Sequence, residues 1–448
     1  MAGRVSAAAA RMGCGWLLAV VCVAGVQGMV FLRNAGALSI PDPDLHVPSA
    51  YALATGQSLL PRTVMTEDVF GNRVRRPLVT GDDRYLTGLV RYNRTLTDAM
   101  SGMPEPDPSI AGQRTLLSRE PLELTARPRA TQYTPVAYLP QAIGLRMAWS
   151  RNANPYTALQ YARAANLVTY LLLCCTALML MPHVCRPLAS LIACLPACCF
   201  LAASLTTDGT LTGMAMLLTA IAMRAADRDE PMGVPSLAGA CLLTGLLVWG
   251  KAPYATCALL VAVLPRRILP HAKRAVYLIF CLGAGIAYLA WSRAYSGGYY
   301  NASLADNLAY AAAHPFTLLA RVAANIPFIP QTTLTPTFQS LGSLLIVLTL
   351  WLHGLRYGNP ARPAGKPPIP LNTASRPLDR HRYRVAAGVA LFASLLLIIL
   401  FVALTWNDLD AGSVTDPIHG IQGRYLTPLL PLLLATLVPT DHGETASK

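Results

Sequence analysis

Two aspartates and a histidine stand close together directly after the first long apolar stretch of the chain, in the segment SIPDPDLHVPSAYALATGQ. The acids are Asp42 and Asp44, and the histidine is His46. A carboxylate can take a proton from a hydroxyl group or bind a divalent cation, and an imidazole can hydrogen-bond to either partner. The competing interpretation is structural, because Asp-Pro-Asp is also a common composition of turns and helix starts.

Further polar and ionisable residues stand at the ends of later apolar stretches. They are Asp208 in SLTTDGTL, Lys251 in VWGKAPYA, and Gln422, Arg424 and Tyr425 in GIQGRYLTPLLP. Singly, each has a structural explanation, since an acid can cap a helix, a lysine can reach lipid headgroups and an arginine can bind a lipid phosphate. Ionisable groups at membrane depth are costly and usually functional, so their shared position on one side of the membrane predicts a common site.

The segments that must position these residues are long and apolar. Hydrophobic residues make up 54% of the 448-residue chain and charged residues 13%. The charged share is about half of that in a soluble globular protein. Apolar runs of suitable length predict an all-α polytopic membrane protein with about ten transmembrane helices. The predicted spans are residues 13–32, 164–182, 187–205, 209–223, 235–250, 252–265, 275–292, 339–355, 385–405 and 425–438.

Basic residues in the short connecting segments predict the orientation of these spans, because Lys and Arg near the end of a span resist translocation. Arg4 and Arg11 place the N-terminus inside. The first apolar run is long for a signal peptide, which favours a retained helix. Alternation of the spans then places a basic, proline-rich linker, residues 356–384, on the inside, together with a C-terminal tail, residues 439–448.

Two longer segments lie outside in this topology. They are residues 34–163 and residues 293–338, and neither contains an apolar run long enough to span the membrane. Mildly amphipathic pieces in both predict short helices along the outer membrane surface. We therefore expect one polytopic membrane domain over residues 1–438, without a separate soluble domain.

The formal net charge of +14 follows largely from the basic inside segments. These segments would also meet anionic lipid headgroups. A nucleic-acid-binding patch is the competing interpretation, but aromatic residues do not alternate with the basic ones. We therefore expect membrane lipid, and no nucleic acid, as a partner of the basic residues.

Several short segments, spread over most of the chain, carry a family resemblance. In chain order they are PDPDLH with AYALATG, then YTPVAYLPQAIGL, ARAANLV, SLTTDG, GKAPYA and GIQGRYLTPLLPLL. They resemble a bacterial family of multi-span membrane proteins catalogued as domain of unknown function 2142. The resemblance extends from Ala35 to Leu434, and GKAPY and QGRYLTPLLP are its most specific motifs. That family is thought to be akin to the GT-C membrane glycosyltransferases, which use polyprenyl-phosphate sugars on the outer face.

The resemblance implies a GT-C-like inverting glycosyltransferase in the bacterial cytoplasmic membrane, with its site on the outer face. In GT-C enzymes a carboxylate of the first outer segment serves as base or metal contact, often in a modified Asp-x-Asp arrangement. Asp42 and Asp44 match that place, so both are predicted catalytic residues and predicted ligands of any Mg²⁺ or Mn²⁺ cofactor. The family tends to have Asp-Glu three residues ahead of its histidine, whereas here Pro43 replaces the Glu. Which of the two acids acts stays open.

The same reaction requires that the leaving phosphate of the donor be stabilised. Arg424 can do this with a bidentate fork, and Lys251 can do it as a point charge. Further predicted substrate-binding residues are His46, Asp208, Gln422 and Tyr425. The expected substrates are a polyprenyl-phosphate-linked sugar and a cell-envelope glycan or glycolipid acceptor.

Two other functions fit the same polar groups. A flippase or transporter of lipid-linked sugars also has charged residues along its route, although alternating access requires a site near the membrane midplane with broken helices. A non-catalytic partner in envelope assembly is compatible with the displaced acid. The sequence has no glycine-rich phosphate loop and no Rossmann fingerprint, so a soluble nucleotide-sugar fold is not indicated.

Overall fold

The computed structural model describes most of the chain and is predominantly helical. The described residues are 2–38, 43–59, 61–67, 73–86, 110–118, 124–128, 134–182, 185–228, 230–295, 303–325, 377–410, 416, 418 and 420–437. Within these ranges there are sixteen α-helices. The all-α membrane class expected from the composition is therefore confirmed.

The helices are numbered here in chain order. They are α1 (Ala2–Asn34), α2 (Pro43–Ala54), α3 (Asp83–Leu86), α4 (Ile110–Ser118), α5 (Leu139–Trp149), α6 (Pro155–Leu180), α7 (Arg186–Ala193), α8 (Pro196–Ala202), α9 (Asp208–Arg228), α10 (Val234–Gly250), α11 (Leu259–Ala262), α12 (His271–Tyr295), α13 (Leu304–Ala313), α14 (Pro315–Asn325), α15 (Pro377–Trp406) and α16 (Leu430–Leu437). Three 3₁₀ helices, Pro135–Tyr138, Ala252–Ala258 and Gly423–Leu429, precede α5, α11 and α16.

Five of the described helices are long and apolar enough to cross a membrane, namely α1, α6, α9, α12 and α15. Each coincides with a predicted span, and the 17-residue helix α10 coincides with a sixth. Three other predicted spans, residues 187–205, 252–265 and 425–438, are interrupted rather than continuous helices. The predicted span at residues 339–355 lies outside the described residues.

Proline accompanies each interruption. Pro196 begins α8 after the break from α7, Pro253 lies at the start of the second 3₁₀ helix, and Pro428 lies inside the third. Proline lacks the backbone N–H that an α-helix interior requires and clashes with the preceding turn. Hydropathy measures apolar character and not backbone geometry. The apolar run alone therefore predicts a longer helix than the one that forms.

Two helices extend into segments that were predicted to lie outside the spans. Helix α6 begins at Pro155, within the predicted outer segment. Helix α15 begins at Pro377, so the last part of the predicted inside linker is helical. In both places polar residues extend an apolar helix beyond its hydrophobic part. The predicted tail, residues 439–448, lies outside the described residues.

Contacts at the two ends of the bundle agree with the predicted alternation of the helices. At one end, the N–H of Met232 before α10 donates to the carbonyl of Ile268 before α12 (2.7 Å). Arg384 near the start of α15 donates to the carbonyl of Thr436 near the end of α16 (3.3 Å). The opposite end, where α1 and α10 end and α9 begins, is called the site end below.

A three-stranded antiparallel sheet lies in the segment after α2, and the sequence reading did not predict it. Its strands are β1 (Arg62–Glu67), β2 (Arg73–Asp82) and β3 (Leu124–Pro128), with β2 in the centre. The strands are short and largely polar, so they lack the apolar alternation that makes strands easy to recognise. Helix α2 packs against α3 and α5 beside this sheet. It is therefore buried on most sides, as at Val47 and Ala50, rather than lying along a surface.

Candidate functional site

A buried carboxylate at the site end binds two basic side chains. Asp208 is the first residue of α9, and its side chain is fully buried. The ammonium of Lys251 donates to Oδ1 of Asp208, and Nη1 of Arg424 lies 3.7 Å from Oδ2. The side chains of Lys251 and Arg424 are 10% and 5% exposed. These three residues are called the ionic cluster below.

Local structure explains how three distant segments reach this point. Asp208 stands at a helix N-terminus, where the helix dipole favours a carboxylate. Gly209 follows it, and a β-carbon there would collide with the backbone of Ala202 in α8. Lys251 has extended backbone angles between α10 and the second 3₁₀ helix. Arg424 lies in the third 3₁₀ helix. The helix interruptions thus present both basic side chains to Asp208.

Two tyrosines cover the ionic cluster. The ring centroid of Tyr425 lies 4.4 Å from the ammonium of Lys251 and 5.2 Å from the guanidinium carbon of Arg424. Cations at these distances from an aromatic face are attracted to its electron density. The hydroxyl of Tyr254 donates to the carbonyl of Tyr425 (2.7 Å). This hydrogen bond ties the two 3₁₀ helices together beside the cluster.

His46 lies next to the ionic cluster and is fully buried. Its Nδ1 is 2.8 Å from the hydroxyl of Tyr138. The pKa of His46 is lowered from 6.5 to about 3, chiefly by burial and also by the charges of Arg424 and Lys251, while the charge of Asp208 opposes them. A charged imidazole is disfavoured both by desolvation and by neighbouring cations. The ring is therefore neutral at physiological pH.

A mainly apolar cavity of about 100 Å³ adjoins the ionic cluster. It lies between the second and third 3₁₀ helices, α12 and α15. Lys251 and Tyr425 belong to its lining, as do the apolar side chains of Leu45, Phe401 and Trp406. One basic side chain thus belongs both to a charged cluster and to an apolar cavity.

Arg163 fixes the scaffold around this site. Its guanidinium is fully buried in α6 and donates to three backbone carbonyls, those of Phe31 (3.0 Å), Ala35 (2.8 Å) and Ala203 (2.7 Å). Phe31 lies in the last turn of α1, Ala35 directly follows that helix, and Ala203 lies between α8 and α9. The carbonyl of Phe31 also accepts from the N–H of Ala35 (3.0 Å), so Arg163 adds a second hydrogen bond there. The hydrogen bonds of Arg163 hold the segment that leads to Asp208 against α1.

A protein-family model places the chain among known sequences. The model described as "Predicted membrane protein (DUF2142)" matches residues 27–433, which is most of the chain. The chain belongs to this family. No curated protein and no solved structure matches it. The family resemblance expected from the motifs is confirmed, and the chain is a membrane protein.

In this DUF2142 protein, most of the predicted binding residues converge. The structure brings together His46, Asp208, Lys251, Arg424 and Tyr425. Gln422 directly precedes the third 3₁₀ helix, and its carbonyl accepts a hydrogen bond from the N–H of Tyr425 (3.0 Å). Asp208 begins α9 and also binds Lys251, so its place at a helix start and its place in the ionic cluster are compatible.

The structure describes less of the two predicted catalytic acids than of the binding residues. Asp42 lies outside the described residues. Asp44 belongs to the first turn of α2, two residues before His46, and its side chain is not among those described. The assignment of a catalytic or metal-binding role to either acid stays a prediction.

The described part of the site does not fit a divalent cation. Among the described residues, His, Cys, Asp and Glu form no group of three that could hold a metal ion. Asp208 is flanked by the two cations Lys251 and Arg424, which repel a second positive ion. A role for Mg²⁺ or Mn²⁺ therefore depends on Asp42 and Asp44 alone.

Two tyrosines that hydrogen-bond to residues of the site were not predicted from the sequence. Tyr138 hydrogen-bonds to His46, and Tyr254 holds the backbone of Tyr425. Both lie in motifs that carry the family resemblance, YTPVAYLPQAIGL and GKAPYA. A usable signal was present, because a buried tyrosine usually needs a partner for its hydroxyl group.

Proposed function

We propose that this protein is a membrane glycosyltransferase that moves a sugar from a polyprenyl-phosphate carrier to a cell-envelope glycan or glycolipid. The observation that carries the proposal is the position of Lys251, between a charged cluster and an apolar cavity. A polyprenyl phosphate has a charged head beside a long apolar tail. The phosphate would meet Lys251 and Arg424, and the first part of the tail would enter the apolar cavity.

The charges of the ionic cluster suit a donor phosphate. Two cations face one carboxylate, so one positive charge is left to attract an anion. Asp208 holds Lys251 and Arg424 in place before the donor binds, which is the preorganisation that stabilises a leaving group without further rearrangement. Arg424 contributes two parallel donors and Lys251 contributes a compact charge.

The chemical step then follows from the chemistry of the substrates. The acceptor hydroxyl attacks the anomeric carbon, the bond from that carbon to the phosphate oxygen breaks, and the phosphate leaves with the electron pair. The hydroxyl proton goes to a carboxylate base. His46, with a pKa of about 3, is a weak base. Asp42 and Asp44, which precede it, remain the predicted bases.

The depth of the site favours an enzyme over a transporter. Helix α9 has 21 residues, so Asp208 stands about 30 Å along the helix axis from its other end. The hydrocarbon core of a bilayer is about 30 Å thick, so a helix that spans it would hold the ionic cluster at the membrane edge, at the level of the lipid headgroups. We assign this edge to the outer face of the bacterial cytoplasmic membrane.

A flippase or transporter of lipid-linked sugars is the second candidate. The observation that favours it is the pair of 3₁₀ helices, Ala252–Ala258 and Gly423–Leu429, which interrupt two apolar stretches at the site. Interrupted helices are typical of transport sites, but those sites lie near the midplane. The interruptions here lie at one end of the bundle.

The experiment uses the full-length protein in liposomes that contain polyprenyl-phosphate-linked hexoses and a lipid-extract acceptor. The measured quantity is free polyprenyl phosphate, which appears only when the sugar is transferred or hydrolysed. We expect release by the wild-type protein, its loss in the double variant Asp42→Asn and Asp44→Asn, and about a tenfold decrease for Arg424→Lys, because the fork geometry is lost.

Arg382→Lys is the matched control, since Arg382 lies on the exposed surface at the opposite end of α15 and the variant should keep the wild-type rate. Wild-type release by the double variant would remove the base and contradict the enzyme assignment. Movement of intact lipid-linked sugar between the two leaflets, without release of polyprenyl phosphate, would instead establish the transporter.

A further inference from the structure

A second, larger cavity lies beside the sheet, away from the ionic cluster. Its volume is about 470 Å³, within the range of small-molecule binding sites. Three aromatic side chains and an ion pair belong to its lining, together with Asn152. The three aromatic residues are Tyr51, Tyr85 and Trp149, and the ion pair joins Asp82 to Arg84. This cavity is called the aromatic pocket below.

The three aromatic rings form a fixed cluster in the lining of the pocket. The ring centroids are 5.1 Å apart for Tyr51 and Tyr85, 5.6 Å for Tyr51 and Trp149, and 6.0 Å for Tyr85 and Trp149. The indole N–H of Trp149 donates to the hydroxyl of Tyr85 (3.1 Å). A β-carbon on Gly81 would collide with the ring of Tyr51. The rings are therefore held before any ligand arrives.

The ion pair supplies polar groups to the same lining. Arg84 donates from Nε to Oδ1 of Asp82 (2.9 Å) and from Nη2 to Oδ2 (2.7 Å). The side chains of Asp82 and Arg84 are 14% and 18% exposed, so each can also reach a ligand. The two charges cancel, and the pair gives the pocket no preference for an anion or a cation. Fixed donors and acceptors without net charge suit a neutral ligand with many hydroxyl groups.

A neutral sugar has an apolar face and an edge of hydroxyl groups, which match the aromatic and the polar parts of this pocket. The C–H face of a pyranose ring is apolar and packs on aromatic rings, and its hydroxyl groups need donors and acceptors at the ring edge. Oδ1 of Asp82 already accepts from the backbone N–H and the Nε of Arg84, so Oδ2 is the oxygen that can accept from a ligand hydroxyl, while Arg84 and Asn152 can donate to others. We propose that the aromatic pocket binds a neutral sugar unit of a glycan.

This binding site does not rest on the proposed glycosyl transfer, because it requires no chemistry at the ionic cluster. The two sites are nevertheless neighbours along α2, where Tyr51 follows His46 by five residues, a rise of about 7.5 Å along the helix axis. If the transfer reaction takes place, the pocket is placed to hold a sugar of the acceptor glycan.

Binding is tested by isothermal titration calorimetry on the purified full-length protein in detergent. The probes are the methyl glycosides of glucose, galactose and mannose, N-acetylglucosamine, and the neutral oligosaccharide maltotriose. We expect at least one probe to bind, and Asp82→Asn to weaken its binding about tenfold, because a hydrogen bond to a charged group is lost. Binding next to Trp149 should also change the tryptophan fluorescence of the protein. Trp149→Phe should weaken binding and remove that fluorescence change.

Asn152→Gly provides an independent variant. Asn152 has a positive φ of 53°, which glycine adopts without strain, so only the side-chain amide is lost and binding should weaken without loss of folding. Trp291→Phe, in the exposed helix α12, is the matched control for Trp149→Phe and should bind like the wild type. Absence of binding for every probe, or binding that all three pocket variants leave unchanged, would overturn the proposal.

Discussion

The ionic cluster and the Asp82–Arg84 pair both join a carboxylate to a guanidinium, but they are built in opposite ways. Asp208 and Arg424 come from distant parts of the chain and are almost fully buried. Asp82 and Arg84 are two residues apart and partly exposed, with a closer and bidentate contact. The Asp82–Arg84 pair therefore has the better hydrogen-bond geometry but is more exposed to solvent.

From this difference we expect burial, rather than contact distance, to decide what such a pair does. In water the attraction between two charges is weak and is offset by the cost of ordering the side chains. In a buried site, each charge depends on its partner, and removing one leaves the other uncompensated. The ionic cluster should therefore determine stability, whereas the Asp82–Arg84 pair should determine ligand binding alone. The same substitution in both places tests this.

The largest effect is expected for Asp208→Asn. Removal of the carboxylate charge leaves Lys251 and Arg424 buried without a counter-charge, and the free energy of unfolding should fall by about 3–5 kcal/mol. Thermal and denaturant unfolding in detergent would measure the change. The control is Asp306→Asn on the exposed face of α13, which should have an effect within about 0.5 kcal/mol. A similarly small effect of Asp208→Asn would show that burial does not govern this cluster.

An intermediate effect is expected from His46 as the pH falls. The pKa of His46 is about 3 in the folded protein and 6.5 in the unfolded chain. Below pH 6.5 the unfolded chain binds a proton at His46 that the folded protein does not bind. The contribution of His46 to the free energy of unfolding is therefore complete above pH 6.5. That contribution is lost as the pH falls towards 3, by up to about 1.4 kcal/mol per pH unit, so at pH 5 the expected loss is about 2 kcal/mol.

His46→Gln removes this titration, so the variant should have a flatter dependence of unfolding free energy on pH between 6.5 and 3. The matched control for the chemical change is His314→Gln, because His314 is exposed at the end of α13. Equal slopes for the wild type and His46→Gln would show that His46 is not held neutral by its surroundings.

The smallest effect is expected for Asp82→Asn. The pair is local and partly exposed, so its loss should change the free energy of unfolding by less than about 1 kcal/mol. The same unfolding measurements as for Asp208→Asn give a direct comparison. A loss equal to that of Asp208→Asn would mean that the pair supports the sheet and is not reserved for a ligand.

Hydropathy determined the membrane class and the long helices. The long helices α1, α6, α9, α12 and α15 coincide with predicted spans because an apolar run of this length has few alternatives in a bilayer. The interrupted stretches and the sheet escaped prediction. At Pro196, Pro253 and Pro428 a local backbone constraint overrides an apolar composition, and the polar strands depend on pairing partners that are distant in sequence.

The sequence by itself also identified Asp208, Lys251 and Arg424 as one group, because charges at membrane depth are costly unless they serve a purpose. Only the tertiary structure decided that the three residues form a single cluster and that His46 lies neutral beside it. It also decided that Tyr51, Tyr85 and Trp149 form one pocket, since nothing in their spacing links them. The physical reason is that pairing and burial depend on neighbours in three dimensions. The same residue type is solvated, paired or neutral according to the residues that the fold brings to it from elsewhere in the chain.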